Sequence, residues 1–164
     1  MRGSIARRTD FPAGVAPGER AAKPDRVSPE TKKRVLFVCI GNSCRSQMAE
    51  AFARAYGSDI LTVQSAGLAP AAIVQPLTKQ VLLEKNISAE DLFPKGLEVF
   101  RDETFDVVVN LSGSPLPLFS KAPPPRVVVW PVTDPIGQKE PVYREVAARI
   151  ENLVMGLILE LRAA

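Results

Sequence analysis

The sequence predicts an α/β fold, a three-layer α-β-α sandwich built on a four-stranded parallel sheet. Three observations carry this. The candidate elements alternate in the order β-α-β-α-(short helix)-β-β-α. The strand candidates are continuous apolar runs rather than alternating ones, as strands covered on both faces require. The segments between them have helical periodicity, so parallel pairing through crossovers is the consistent arrangement.

The first run, Val35-Leu36-Phe37-Val38, is β-branched and aromatic, and it ends in the polar, glycine-marked stretch Cys39 to Cys44. From Arg45 the pattern turns helical. Met48, Phe52 and Tyr56 recur every four residues among alanines, and Gly57 is placed to close the helix. Leu61 to Ser65 reads as the second strand, with Ala66-Gly67 as a turn. Pro76 suits the first turn of a helix carrying Leu77, Val81, Leu82 and Glu84, with Asn86 near its end. Phe105 to Leu111 and Arg126 to Trp130 are the third and fourth strands, both expected to be buried. Pro123-Pro124-Pro125 leads stiffly into the fourth. Val146, Ile150, Leu153, Val154, Leu157, Ile158 and Leu161 form the apolar stripe of a closing amphipathic helix.

Composition narrows the chemistry. The 164 residues include two cysteines and no histidine. Catalytic arrangements that use imidazole as base are therefore excluded, as are zinc sites that need it. No metal and no cofactor is called for. The net charge of +3 is uneven. Residues 1–34 carry nine basic and four acidic side chains, +5, and the rest twelve and fourteen, −2. Residues 1–33, proline-marked and poor in large apolar side chains, read as a disordered basic tail, and residues 34–164 as the catalytic domain. The tail lacks the aromatic interleaving of a nucleic-acid-binding arm, so no nucleic-acid partner is expected. No apolar run is long enough to span a bilayer, and no membrane partner is expected. A cytoplasmic setting, with both thiols mostly reduced, is the default.

The polar stretch after the first strand is the candidate site. Sheets of this kind bind ligands beyond the carboxyl ends of their strands. A loop that enters a helix N-terminus can turn several backbone N–H groups inward, and the helix dipole adds positive potential there. Ile40, Gly41, Asn42, Ser43, Cys44, Arg45 and Ser46 are the oxyanion-binding candidates. Gly41 offers backbone freedom, Asn42 tolerates a left-handed conformation, and Arg45 presents a planar fork to two oxygens. Cys39 would lie at the floor. The inward N–H groups, Arg45 and a hydroxyl donor on Ser46 favour its thiolate, which makes it a nucleophile without histidine.

The run Val35-Leu36-Phe37-Val38-Cys39-Ile40-Gly41-Asn42-Ser43-Cys44-Arg45-Ser46-Gln47-Met48-Ala49-Glu50 resembles the signature of the low-molecular-weight protein tyrosine phosphatase superfamily. Its Arg-Ser-Gln-Met-Ala continuation is similar to the thiol-linked arsenate reductase branch. The resemblance covers about residues 34–162 and implies a strand order of 2-1-3-4. It also assigns the general acid to Asp134, in Thr133-Asp134-Pro135-Ile136 after the fourth strand. Two departures bear on function. The aromatic residues that follow Asp-Pro in eukaryotic-type phosphatases are replaced by Ile136-Gly137. The relay cysteines of thioredoxin-coupled arsenate reductases are missing, since the region after the third strand reads Asn110-Leu111-Ser112-Gly113-Ser114.

The resemblance implies first a metal-independent phosphomonoesterase working through a phosphocysteine on Cys39, with a phosphorylated protein or small phosphomonoester as partner. The alternative is an arsenate reductase that takes arsenate and an external thiol donor. A non-catalytic oxyanion or phosphopeptide binder is the third reading. Cys44 is either a redox-protective partner for Cys39 or a packing residue of the loop. Ser65-Ala66-Gly67 matches another family segment near the site rim, with loop geometry as its expected role. Pro115, Pro117 and Phe119 either line a cleft edge or, the favoured reading, pack a surface loop, and Trp130 and Tyr143 belong to the core or rim.

Overall fold

The computed structural model describes residues 31–164, so residues 1–30 of the expected tail lie outside the described residues. Strand β1 runs Lys33–Cys39 and helix α1 Arg45–Gly57. They are followed by β2, Leu61–Gly67, and α2, Pro76–Glu84. A single turn of 3-10 helix, Leu97–Phe100, then precedes β3, Val107–Asn110. Strand β4, Arg126–Val129, and helix α3, Glu140–Ala163, complete the chain. All pairings are parallel and the order is β2-β1-β3-β4. The register aligns Cys39 with Gly67 and Val38 with Asn110, which is aligned in turn with Val129. The carboxyl ends of all four strands therefore share one edge of the sheet.

Each apolar strand divides its residues between two cores. Val35, Phe37, Val107 and Val109 face the larger one, with Met48 and Phe52 of α1, Val81 and Leu82 of α2, and Val146, Ile150 and Val154 of α3. Leu36, Val38 and Val108 face a smaller core closed by Leu97, Phe100 and Phe105. The period-2 geometry of a strand makes this division, and continuous apolar runs satisfy both sides. Burying each such side chain contributes about 1.5–3 kcal/mol. Trp130 belongs to the larger core, its ring centroid 6.0 Å from that of Phe37, and Tyr143 is buried beside it.

Two expectations need correction. Strand β4 is not buried on both faces, because Val127 and Val129 are 49% and 63% exposed. It is the edge strand, and the thin second layer, one helical turn with its flanking chain, does not cover it. Gly57 does not close α1 with a left-handed turn; the helix runs into Ser58 in a right-handed conformation. Its small size is used instead, since a Cβ there would lie 3.0 Å from the Ile158 side chain of α3. Asn86, just past α2, takes the left-handed conformation with φ 61°.

Candidate active site

The loop between β1 and α1 is shaped by its carbonyl groups. The Cys39, Ile40 and Gly41 carbonyls accept hydrogen bonds from the N–H groups of Leu68, Ala69 and Ala71, at 3.0, 2.8 and 2.9 Å. The Ser43 carbonyl accepts from Gln75 N–H at 3.0 Å, and the Asn42 carbonyl from Gln47 Nε2 at 2.9 Å. In a trans peptide the following N–H points the opposite way from its carbonyl. The outward carbonyls therefore turn the N–H groups of Ile40, Gly41, Asn42, Ser43 and Cys44 to the other side of each peptide, the geometry of an anion nest. The left-handed residue is Asn42, with φ 51°, whereas Gly41 does not use a positive φ.

The whole turn is seated against the end of β2. A Cβ on Gly67 would lie 2.7 Å from the Ile40 carbonyl oxygen and 2.8 Å from the Asn42 nitrogen. Ser65-Ala66-Gly67 is thus strand rather than turn, and it supports the catalytic loop by close approach. Gly67→Ala should displace that backbone, lowering stability by about 1–3 kcal/mol and activity more than tenfold. Thermal unfolding with parallel kinetics checks this, and wild-type behaviour in both would contradict it.

Cys39 is 2% exposed and lines the floor of a pocket of about 130 Å³ with Ile40, Gly41, Ser43, Cys44 and Arg45. Asp134 and Ile136 reach the same pocket from beyond β4. The Cys39 Sγ meets Ser46 Oγ at 2.9 Å and receives the Ser46 N–H at 3.4 Å. The direction of the hydroxyl bond follows from a connected network. Lys95 N–H donates to Asn42 Oδ1 at 2.9 Å, and a backbone N–H can only donate, so the amide orientation is fixed. Asn42 Nδ2 consequently donates to Ser46 Oγ at 2.7 Å and to Ser65 Oγ at 3.0 Å. The Ser65 hydroxyl is committed to the Glu50 carboxylate. The Ser46 hydroxyl hydrogen is then free for the sulfur. Two donors on one buried sulfur are the arrangement that a thiolate needs.

Glu50 is itself held by Arg54 at 2.5 Å and lies 3.9 Å from Lys95 Nζ. Burial pulls the Lys95 ammonium below the ordinary lysine range, with Glu50 opposing. Glu50, Ser65, Gln47 and Lys95 are parts of the site that residue patterns did not single out as such. The one available signal was a carboxylate four residues after Ser46 on the buried helix.

Arg45 is buried and braces the opposite side. Its Nη1 donates to the Leu111 carbonyl at 2.7 Å and the Val132 carbonyl at 3.2 Å, joining the loops after β3 and β4. Its Nη2 lies 3.6 Å from Asp134 Oδ2. Asp134 stays half-exposed, and its Oδ1 accepts the Ile136 N–H at 3.1 Å in a local turn. A carboxyl group at the mouth of the nest, facing the guanidinium, is placed to exchange a proton with a group leaving the bound oxyanion. Cys44 is buried, and burial pushes its thiol up to about 12 against a weaker opposing bond to Thr78. Ser112 and Ser114 close a self-contained turn on Asn110, Ser112 Oγ donating to Asn110 Oδ1 at 2.6 Å. Pro117 and Phe119 line a separate groove with Val127, away from this pocket. No helix among the described residues is long and apolar enough to cross a membrane.

A strand-loop-helix nest with a cysteine at its floor and an arginine beside it is an arrangement that can hold a tetrahedral oxyanion over a thiol. The chain belongs to the low molecular weight phosphotyrosine protein phosphatase family, whose model matches residues 34–122. It is 35% identical over 135 residues to the glutaredoxin arsenate reductase of Synechocystis sp., covering 79% of this chain and 98% of that protein. Among solved structures, an arsenate reductase in its phosphate-binding state superposes with a TM-score of 0.68 at 33% identity, covering 78% and 98% of the two chains. A low molecular weight protein tyrosine phosphatase from T. tengcongensis does so with a TM-score of 0.65 at 25% identity, covering 79% and 99%.

Proposed function

We propose that this protein is an arsenate reductase that takes its electrons from an external thiol donor. Residue patterns alone rank phosphomonoester hydrolysis first, and the relatives reverse that order. The observation that carries the reading is the similarity to a glutaredoxin arsenate reductase along nearly its whole length. The site is compatible in each step. The Cys39 thiolate attacks arsenate bound by the loop N–H groups and Arg45, and Asp134 protonates the departing oxygen, giving Cys39–S–AsO(OH)₂ and water. A donor thiolate then attacks the Cys39 sulfur. The S–As bond breaks with its electron pair on arsenic, which takes up a proton and leaves as As(OH)₃, and a mixed disulfide remains. A second donor thiol releases Cys39 and leaves as the donor disulfide.

The external donor follows from the cysteine inventory. Cys44 is the other cysteine of the chain. With its thiol pushed up to about 12, it is almost wholly protonated near neutral pH and a poor resolving nucleophile. Its redox-protective role stays within this proposal as a slow disulfide with Cys39 under oxidation. Phosphomonoester hydrolysis is the second reading, favoured by the phosphatase among the structural neighbours and by Asp134 at the mouth of the nest. Parallel assays separate the two. Arsenite should form only with a thiol donor present, one per two thiols consumed. No arsenite with glutaredoxin, thioredoxin or glutathione would eliminate the first reading. Asp134→Asn should slow the chemical step about 100-fold while phosphate affinity changes little; an unchanged kcat would remove Asp134 from the mechanism.

A further inference from the structure

We infer that the free edge of β4 is a self-complementary interface, at which two copies of this chain pair as antiparallel strands about a two-fold axis at Val128. None of the residues that carry the inference lines the Cys39 pocket, so it stands apart from the reaction assigned to that pocket.

The register decides which backbone groups of β4 are left over. Trp130 N–H donates to the Asn110 carbonyl, and Val129 is aligned with Asn110. The N–H and C=O groups of a strand residue in a parallel sheet point to one side, and the side alternates along the chain. Those of Arg126 and Val128 therefore turn toward β3. Those of Val127 and Val129 turn away from the sheet, where no further strand lies among the described residues. An apolar edge left open in this way is a template for another chain.

A second copy supplies the matching edge. With the axis at Val128, Val127 of one copy stands opposite Val129 of the other, and each of these two pairs exchanges two main-chain hydrogen bonds. The next outward positions, Pro125 and Pro131, would face each other. Neither has an N–H to leave unpaired, so the ladder stops there and the assembly closes as a dimer instead of growing into a fibre.

Side chains and charges fit the same axis. Opposed residues of an antiparallel pair share a face, so the exposed Val127 and Val129 meet their counterparts on the face that the thin layer leaves open. Leu118 is 81% exposed on the groove of about 300 Å³ that Val127 lines with Pro117 and Phe119. Val129 of the second copy, beside Val127, would cover that groove. On the α3 side, Glu160 pairs with Arg126 at 2.6 Å, and Arg149 donates to the Pro131 carbonyl at 3.3 Å. The axis sets the start of one β4 beside the end of the other. Each Glu160 is then level with Arg149 of the second copy, and opposite charges approach across the junction.

Sedimentation of the full chain should show a reversible change with concentration, from 17.8 kDa to twice that mass. Hydrogen exchange at the Val127 and Val129 amides should slow over the same range. Val129→Lys and Leu118→Asp alter exposed side chains, and inorganic phosphate affinity, read by calorimetry, should stay at wild type in both. Each should raise the dimer dissociation constant at least about tenfold. A single 17.8 kDa species up to about 1 mM overturns the inference. So does a dimer that both variants leave intact, which would use another surface. Slow exchange at the two amides in a monomer also overturns it, because the chain's own residues would then occupy the edge.

Discussion

Cys39→Ser should lower arsenate reduction and aryl phosphate hydrolysis by at least about 10⁴-fold while leaving the fold and phosphate affinity near wild type. The substitution is close to isosteric. A serine Oγ at the position of the sulfur can keep the contacts with Ser46 Oγ and Ser46 N–H that Cys39 makes at 2.9 and 3.4 Å. What it loses is the nucleophile. Two hydrogen bonds and a helix terminus can stabilise a thiolate, but a hydroxyl is too weak an acid for the same donors to ionise it. Without histidine in the chain, imidazole cannot serve as the missing base. The affinity should persist because the nest is made of backbone N–H groups, which no side-chain exchange at position 39 removes. Nitrophenol release and arsenite formation read the loss, and calorimetric phosphate titration reads the retained site. Turnover within tenfold of wild type in either assay would exclude a covalent Cys39 intermediate from that reaction.

The elements that residue patterns revealed, and those they hid, differ for a physical reason. Continuous apolar runs at Val35–Val38 and Val107–Val109 report burial on two faces directly, and the structure places them centrally in the sheet. Val127-Val128-Val129 has the same composition, yet one face of it is open. Local composition does not say whether the opposite layer extends over an edge strand. The strand order 2-1-3-4 came from family resemblance for the same reason, since crossover rules restrict topologies without selecting one. Within the site, the Cys39-to-Ser46 turn was legible because its parts are contiguous. The support was not. Ser65, Glu50 and Lys95 lie 23, 8 and 53 residues from Asn42 and meet it or each other through the parallel pairing of β1 with β2 and the bridge from Gly67 to Gly96. Long-range hydrogen bonds leave no periodic trace in sequence. The freedom expected of Gly41 is needed instead by Asn42, whose side chain is then held by three elements.

Arg45→Lys should reduce kcat/KM by about 10³-fold and also lower stability by about 2 kcal/mol, a combination that a purely electrostatic role would not produce. The two effects come from different nitrogens. Nη1 ties the Leu111 and Val132 carbonyls at 2.7 and 3.2 Å, so it holds the loops after β3 and β4 at the pocket. Both carbonyls would lose a charged donor in a buried setting, and each such bond contributes about 1.5–3 kcal/mol. Lysine is shorter and carries its charge as a point. It can take one of these carbonyls or face the oxyanion, but it cannot span both. Nη2 lies 3.6 Å from Asp134, so its loss also releases the proposed general acid from its partner and removes the two-armed fork proposed to orient the oxyanion. Two charge-assisted bonds missing from the transition state amount to about 4 kcal/mol, which is the roughly 10³-fold loss stated. Thermal unfolding and steady-state kinetics on one sample separate the contributions. If stability is unchanged while activity falls, the bracing role of Nη1 is wrong. If both stay within experimental error, Arg45 neither binds the oxyanion nor holds the loops.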